Sequence, residues 1–158
     1  MIQRIQSIFL FLVVICMGAS LSTLYWNQIQ SDGGNTWELT AFMLTELDGS
    51  GEVVTSKSTW YMATMASFSG LLALISIFQY KKRTRQMMFN MINSLIMVGL
   101  VVAVFLTTNK VNSEINAVES GSYQAGFWVI LAAMVFNMLA NRFIRKDEAL
   151  VRSVDRIR

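Results

Sequence analysis

The stretch that decides the fold lies in the second half of the chain, where residues 87–108 read MMFNMINSLIMVGLVVAVFLTT. It contains no charged side chain and no proline, and most of its residues are Met, Val, Leu, Ile or Phe. An α-helix rises about 1.5 Å per residue, so about 20 residues cross the ~30 Å hydrocarbon core of a bilayer. The stretch therefore predicts a membrane-spanning helix.

The rest of the chain has a similar composition. Hydrophobic residues make up 54% and charged residues only 15%, whereas an ordinary soluble domain has about 25% charged residues. Three further stretches lack charge, at residues 5–31, 58–80 and 120–141. We therefore predict a single all-α membrane domain over residues 1–158, an antiparallel bundle of four transmembrane helices. The predicted spans are about residues 8–26, 60–80, 87–108 and 123–144.

The 13 basic residues are divided unevenly between the two sides that this topology creates. Only Lys57 and Lys110 fall on one side. Cytoplasmic segments carry an excess of Lys and Arg, so both termini are predicted to be cytoplasmic. The basic face is expected to meet anionic lipid headgroups rather than nucleic acid. The residues of this face that are candidates for contact with lipid or a partner are Arg4, Lys81, Lys82, Arg83, Arg85, Arg145, Lys146, Arg152, Arg156 and Arg158. Arg142 also lies on this face.

The first span has an alternative interpretation as a cleaved signal peptide, because Gly18, Ala19 and Ser20 follow an apolar run. We favour a retained helix, since the charged region before it is a single arginine and the apolar run continues to Trp26. The single cysteine, Cys16, excludes an internal disulfide.

Two segments outside the spans have patterns of their own. Residues 27–59 contain two strand-like runs joined by Asp48-Gly49-Ser50-Gly51, which predicts a small extracytoplasmic β-hairpin between helices 1 and 2. Residues 145–158 keep Leu150, Val154 and Ile157 at helical spacing between charged residues. This spacing predicts a cytoplasmic C-terminal amphipathic helix.

The residue types present exclude several classes of chemistry. Histidine is absent and cysteine occurs once, so imidazole-based metal or haem sites and paired-cysteine redox motifs are not available. No Asp, Glu, Lys or Arg falls inside a predicted span, although ion-coupled transporters usually place one there. The segment beginning at Asp48 resembles the start of a calcium loop, but Val53 replaces the glycine that such a loop needs. We therefore expect a non-enzymatic protein with no catalytic residues, cofactor or metal.

Asparagines inside the spans are the main polar feature. Asn90 and Asn93 lie near the cytoplasmic end of helix 3, and Asn137 and Asn141 share one face of helix 4. An amide in hydrocarbon needs a partner, so we expect Asn93 to pair with Asn137 and Asn90 with Asn141. These four form the candidate polar core. The simpler interpretation is a structural contact between helices, and the alternative is a polar site for a lipid headgroup or small substrate.

The two ends of the chain resemble a known family. The chain opens with MIQRIQ at residues 1–6 and closes with ANRFIRKDE at residues 140–148, LVRS at residues 150–153 and DRIR at residues 155–158. These segments are similar to the small four-helix membrane proteins of Gram-negative bacteria that are catalogued as domain of unknown function 4293. The resemblance implies a location in the bacterial inner membrane. It brings no established activity, ligand or functional residue.

Two functions are compatible with these observations. The first is a structural or accessory subunit or scaffold, which contacts another membrane or cytoplasmic protein, or anionic lipid, through its basic cytoplasmic face. The alternative is a small lipid or small-molecule carrier, which uses the asparagine-lined inner half of the bundle. A hydrated pocket around the asparagines would favour the carrier.

Overall fold

A computed structural model describes residues 3–29, 34–79, 83–115 and 120–155, and the side chains within residues 5–29, 34–79, 83–115 and 120–150. Four helices account for most of these residues: α1 (Gln3–Leu21), α2 (Trp60–Phe78), α3 (Arg83–Glu114) and α4 (Ala125–Asp155). Helix α1 packs against α2 and α4, and α3 packs against the same two helices. The four helices therefore surround a common interior.

A five-stranded antiparallel sheet joins these helices. Its strands are β1 (Trp26–Ile29), β2 (Thr36–Leu39), β3 (Met43–Leu47), β4 (Val53–Ser58) and β5 (Ser122–Tyr123), in the spatial order β4-β3-β2-β1-β5. The first four strands follow one another between α1 and α2. The fifth lies between α3 and α4, and Tyr123 is paired with Trp26.

The prediction of an all-α four-helix transmembrane bundle with a small hairpin is therefore wrong. The predicted hairpin corresponds to β3 and β4, but these strands are one edge of a larger sheet. The first span was predicted to extend to Trp26, but α1 ends at Leu21 and Trp26 is the first residue of β1. Aromatic and β-branched residues suit both a span and a buried strand, and composition alone did not separate the two states.

The predicted separate C-terminal amphipathic helix is also corrected. Helix α4 continues without a break from Ala125 to Asp155, through the residues where the second helix was expected to begin. With no proline or glycine after Gly126, nothing in the sequence interrupts the hydrogen-bond ladder.

One face of the sheet is packed against the helix ends. Trp26 and Leu39 are paired across β1 and β2, and both are fully buried together with Tyr25. These side chains belong to the same hydrophobic cluster as Met62 of α2 and Val104 of α3. The sheet and the helices therefore share one core.

Backbone hydrogen bonds fix the helix starts to the sheet. The first N–H groups of any helix have no partner within it. Here the N–H of Ala63 in α2 donates to the carbonyl of Ala41 at 3.1 Å. The N–H of Gly126 in α4 donates to the carbonyl of Leu24 at 2.9 Å. The sheet end is thus a platform on which two helices begin.

Within the described part of the chain, three helices are long and apolar enough to cross a membrane, namely α2, α3 and the part of α4 from Ala125 to Leu150. Helix α1 is a shorter apolar helix, with described side chains over Ile5–Leu21. These lengths are consistent with a membrane protein.

Candidate functional site: a polar interior and a basic end

The polar interior lies where the end of α2, the start of α3 and the second half of α4 meet. Asn90 is its centre, and the side chain is fully buried. The Ser76 hydroxyl of α2 donates to Asn90 Oδ1 at 2.8 Å. The Asn137 amide of α4 donates to the Asn90 backbone carbonyl at 2.9 Å and to Ser94 Oγ at 2.8 Å. These bonds join three helices through neutral groups.

Gln86 extends this network by one turn toward the start of α3. Its Nε2 donates to the backbone carbonyl of Ser76 at 3.0 Å, and the residue is fully buried. Sequence reasoning missed Gln86 because it flanks a span rather than lying within one. A signal was present, since residues 86, 90, 93, 97 and 100 continue a single buried stripe at spacings of four and three.

The observed pairing of asparagines differs from the predicted one. Asn137 contacts the level of Asn90 and Ser94, and not Asn93. The depth of a residue in its helix was predicted by counting from the nearest charged side chain, which is accurate only to about one helical turn. The observed partner of Asn137 differs from the predicted one by about that distance along α3. Asn141 is partly buried, and its Oδ1 has no hydrogen-bond partner among the described residues.

Two buried amides have neither polar atom bonded to any described residue. Asn93 is fully buried, and Gln6 of α1 is only 1% exposed. Next to Gln6, Phe9 stacks on Phe143 of α4 with ring centroids 5.5 Å apart. The sequence analysis did not single out Gln6, because the first predicted span begins at about residue 8. The groups can accept and donate hydrogen bonds but carry no charge, so they can bind water or an uncharged polar group and cannot act as acid or base.

A partly buried ion pair lies between the start of α3 and the last part of α4. Asp147 Oδ2 lies 3.1 Å from Arg83 Nη2, with the geometry of an ion pair rather than an aligned hydrogen bond. Arg83 Nη1 also donates to the Asp147 backbone carbonyl at 3.2 Å. Removing one partner of a buried pair leaves an uncompensated charge. Arg83 therefore connects the first turn of α3 to α4.

The structure describes only some of the remaining predicted contact residues. Arg85, Arg145 and Lys146 are exposed, so their charges are accessible. Lys81, Lys82, Arg156 and Arg158 lie outside the described residues. Arg4 and Arg152 lie on α1 and α4, but their side chains are outside the described part of the chain. The described basic side chains are concentrated at the end opposite the sheet, which we call the basic end.

Comparison with protein-family models gives one match that covers almost the whole chain. The model of Domain of unknown function (DUF4293) matches residues 2–157. The chain belongs to the DUF4293 family. A comparison with curated proteins gives no match. In this DUF4293 protein, the polar interior and the described part of the basic end lie inside the matched region, and the family description assigns neither a role.

Proposed function

We propose that this DUF4293 protein is a non-enzymatic integral protein of the bacterial inner membrane with an accessory or scaffold role. Its basic end faces the cytoplasm and contacts a partner protein or anionic lipid. The observation that carries the proposal is the Arg83–Asp147 pair. It holds the start of α3 beside the charged part of α4 and so assembles basic side chains from different helices on one surface.

The outer faces of the helices support a lipid environment. Phe11 of α1, Phe68 of α2, Leu95 of α3 and Met138 of α4 are all exposed. Soluble monomers rarely leave large contiguous apolar patches in water. In hydrocarbon these side chains need no cover, whereas polar residues such as Asn90 and Asn137 turn inward and are hydrogen-bonded to each other.

The length of α4 supports a contact beyond the membrane. At about 1.5 Å per residue, its 31 residues extend roughly 46 Å, more than the ~30 Å of hydrocarbon. The part carrying Arg145 and Lys146 therefore reaches the headgroup level or the cytoplasm. A basic residue near an anionic surface contributes about 1 kcal/mol.

Site-specific photo-crosslinking tests this proposal. A photoreactive amino acid at Lys146 is expected to give a discrete adduct with a protein or an anionic lipid in native membranes. The same group at Ser50, in the exposed β3–β4 turn at the other end, serves as the matched control and is expected to give no such adduct. Equal products at both positions, or no adduct at position 146, would contradict an accessory contact at the basic end.

A second candidate function is a carrier for lipid or a small uncharged molecule. The specific observation in its favour is the pair of buried amides at Asn93 and Gln6, whose polar atoms have no partner among the described residues. An unpaired amide in an apolar interior costs about 1–3 kcal/mol, and bound water or a ligand would remove this cost. The stability test of Asn93 in the Discussion separates this candidate from the first.

A further inference from the structure

A cavity of about 280 Å³ lies at the sheet end of the molecule, far along α3 from the polar interior. Strand β4, the start of α2 and the end of α3 form its walls. The lining side chains that matter here are Lys57, Tyr61, Leu106, Thr107, Lys110 and Glu114. A site of this size accommodates a lipid headgroup but not a whole lipid, since pockets that enclose drug-sized ligands begin at about 300 Å³.

The two lysines are the only basic residues in the segments predicted to lie on the sheet side. They are 53 positions apart in the sequence, yet both line this one cavity. Glu114 lies between them, with Oε2 3.4 Å from Lys57 Nζ and Oε1 3.9 Å from Lys110 Nζ. These three charges leave a net charge of +1. The sheet end thus concentrates its positive charge at a single concave site.

One side of the cavity is apolar and opens onto the outer surface of α3. Leu44 and Val111 line its base, and Leu106 lines it while remaining largely exposed on the outer surface of α3. Trp60 and Tyr61 are also exposed beside it, at the start of α2. Trp and Tyr side chains favour the headgroup level of a bilayer. In the membrane setting of the proposed function, the cavity therefore lies at the boundary between headgroups and hydrocarbon.

Tyr61 adds a neutral polar group at this boundary. Its hydroxyl lies 3.1 Å from Thr107 Oγ1, and either atom can donate the hydrogen bond. Both residues line the cavity. The site thus has two cations, one carboxylate, several hydroxyls and an apolar wall. The cations, the hydroxyls and the apolar wall match a phosphate, a polar glycerol group and the first part of an acyl chain.

We propose that this cavity binds the headgroup of an anionic phospholipid from the leaflet at the sheet end. The phosphate lies between Lys57 and Lys110, and an acyl chain follows Leu106 along the surface of α3. The inference rests on the membrane setting of the proposed function, but not on the contact at the basic end.

The proposal predicts that substituting Glu114 and substituting a lysine change lipid binding in opposite directions. As a surface ion pair, the Lys57–Glu114 contact contributes little to stability. Toward an anionic ligand, however, the carboxylate competes with the phosphate for the same two cations. Removing its charge in Glu114→Gln should strengthen lipid binding, whereas removing a lysine should weaken it. If the three charges only stabilised the fold, the glutamate and lysine substitutions would not change lipid binding in opposite directions.

The test measures binding of short-chain phosphatidylglycerol to the full chain in neutral detergent, by native mass spectrometry. Lys57→Gln and Lys110→Gln are each expected to weaken the tightest site about fivefold, which corresponds to about 1 kcal/mol per basic residue. Glu114→Gln is expected to tighten it several-fold. Glu52→Gln is the matched control for Glu114→Gln, because it removes one exposed carboxylate from the β3–β4 turn, does not line the cavity and should leave binding at the cavity unchanged.

Two further ligands test whether the bound phosphate belongs to a lipid. Phosphatidylcholine should bind more weakly than phosphatidylglycerol, and soluble glycerol 3-phosphate should not compete at equal concentration. Lysine variants that bind like the native chain would overturn the proposal, as would a Glu114→Gln variant that binds less. Effective competition by glycerol 3-phosphate would overturn the assignment to a lipid. Failure of crosslinking at position 146 leaves all these measurements intact, so the two proposals fail separately.

Discussion

Asn93 and Asn137 place the same amide group in two different environments within one interior. Asn137 is held by two hydrogen bonds to α3, whereas Asn93 has none to any described residue. Burying an amide is costly unless it is paired, so the two residues should differ in their contribution to stability. The sequence predicted that amides would be buried here, because they interrupt apolar spans. It could not predict which were paired, since the partners include a backbone carbonyl and a serine.

Substitution of each asparagine by leucine, whose side-chain heavy atoms follow the same branching, tests this difference. Asn137→Leu is expected to lower the free energy of unfolding by about 1 kcal/mol, because it removes bonds between α3 and α4. Asn93→Leu is expected to raise it by about 1 kcal/mol, because it replaces an unpaired amide. Both values come from denaturant titration in detergent micelles. Destabilisation by Asn93→Leu would instead indicate that water or a ligand occupies the interior, and would favour the carrier.

Asp48 is a residue whose role the pattern predicted only in part. The sequence predicted a glycine-rich turn, and Gly51 does adopt a positive φ of 85°. The structure adds that Asp48 Oδ1 accepts hydrogen bonds from the Ser50 hydroxyl at 2.6 Å and from the Glu52 N–H at 2.9 Å. These bonds, the Ser50 hydroxyl first, lower the pKa of Asp48 below its ordinary value of 3.8.

This lowered pKa predicts how the turn responds to acid. A carboxyl with a lower pKa in the folded state stabilises the fold above its unfolded pKa, and this contribution is lost as pH falls through the folded pKa. We therefore expect the β3–β4 turn to loosen only below pH 3.8. NMR titration of the Asp48 carboxyl and of the Ser50 and Glu52 amides measures this. The Asp48→Asn variant should show no such transition, and a native transition above pH 4 would contradict the prediction.

At the scale of elements, the sheet was the main feature that sequence patterns missed. Strand β5 has only two residues, too few for any periodicity, and β1 has only four, with Asn27 and Gln28 between Trp26 and Ile29. The strand-like run before Asp48 is divided by a turn that begins at Thr40, so it forms two strands, β2 and β3. Only the β3–β4 hairpin had a local signal, because its turn residues are adjacent in sequence.

The junction between the sheet and α4 predicts the effect of adding a single methyl group. Gly126 lies in the first turn of α4, and a Cβ there would lie 2.6 Å from Tyr25 Cδ1 and 2.7 Å from the Leu24 carbonyl oxygen. Overpacking of this kind costs about 1–3 kcal/mol. We therefore expect Gly126→Ala to lower the melting temperature, measured by circular dichroism in detergent.

Gly18 in α1 provides the matched control. A Cβ at Gly18 would have no neighbour within 4 Å, and alanine is a better helix former than glycine by up to about 1 kcal/mol. Gly18→Ala should therefore leave the melting temperature unchanged or raise it. Similar losses in both variants would show that the Gly126 contact does not determine how α4 is positioned on the sheet.

At the scale of the whole molecule, the two ends differ both in secondary structure and in the basic residues that they carry. The sheet lies at one end with Lys57 and Lys110, and the Arg83–Asp147 pair lies at the other with Arg145 and Lys146. The sequence predicted this division from charge alone, because basic residues accumulate in segments that share a side of the membrane. Two long-range contacts agree with it, since Lys57 meets the end of α3 and Arg83 meets α4.

The last prediction is that the basic end is cytoplasmic and the sheet is periplasmic. Eleven of the 13 basic residues fall on the predicted cytoplasmic side, and moving such a cluster across the membrane is unfavourable. The test uses a Cys16→Ser background with either Ser50→Cys in the β3–β4 turn or Lys146→Cys in α4, both exposed positions. A membrane-impermeant maleimide is added to cells whose outer membrane alone has been permeabilised. Position 50 is expected to react at once, and position 146 only after the inner membrane is opened. The reverse order would invert the orientation and move the crosslinking partner of position 146 to the periplasm. Reaction at both positions before opening would show that the chain does not separate its two ends across a bilayer.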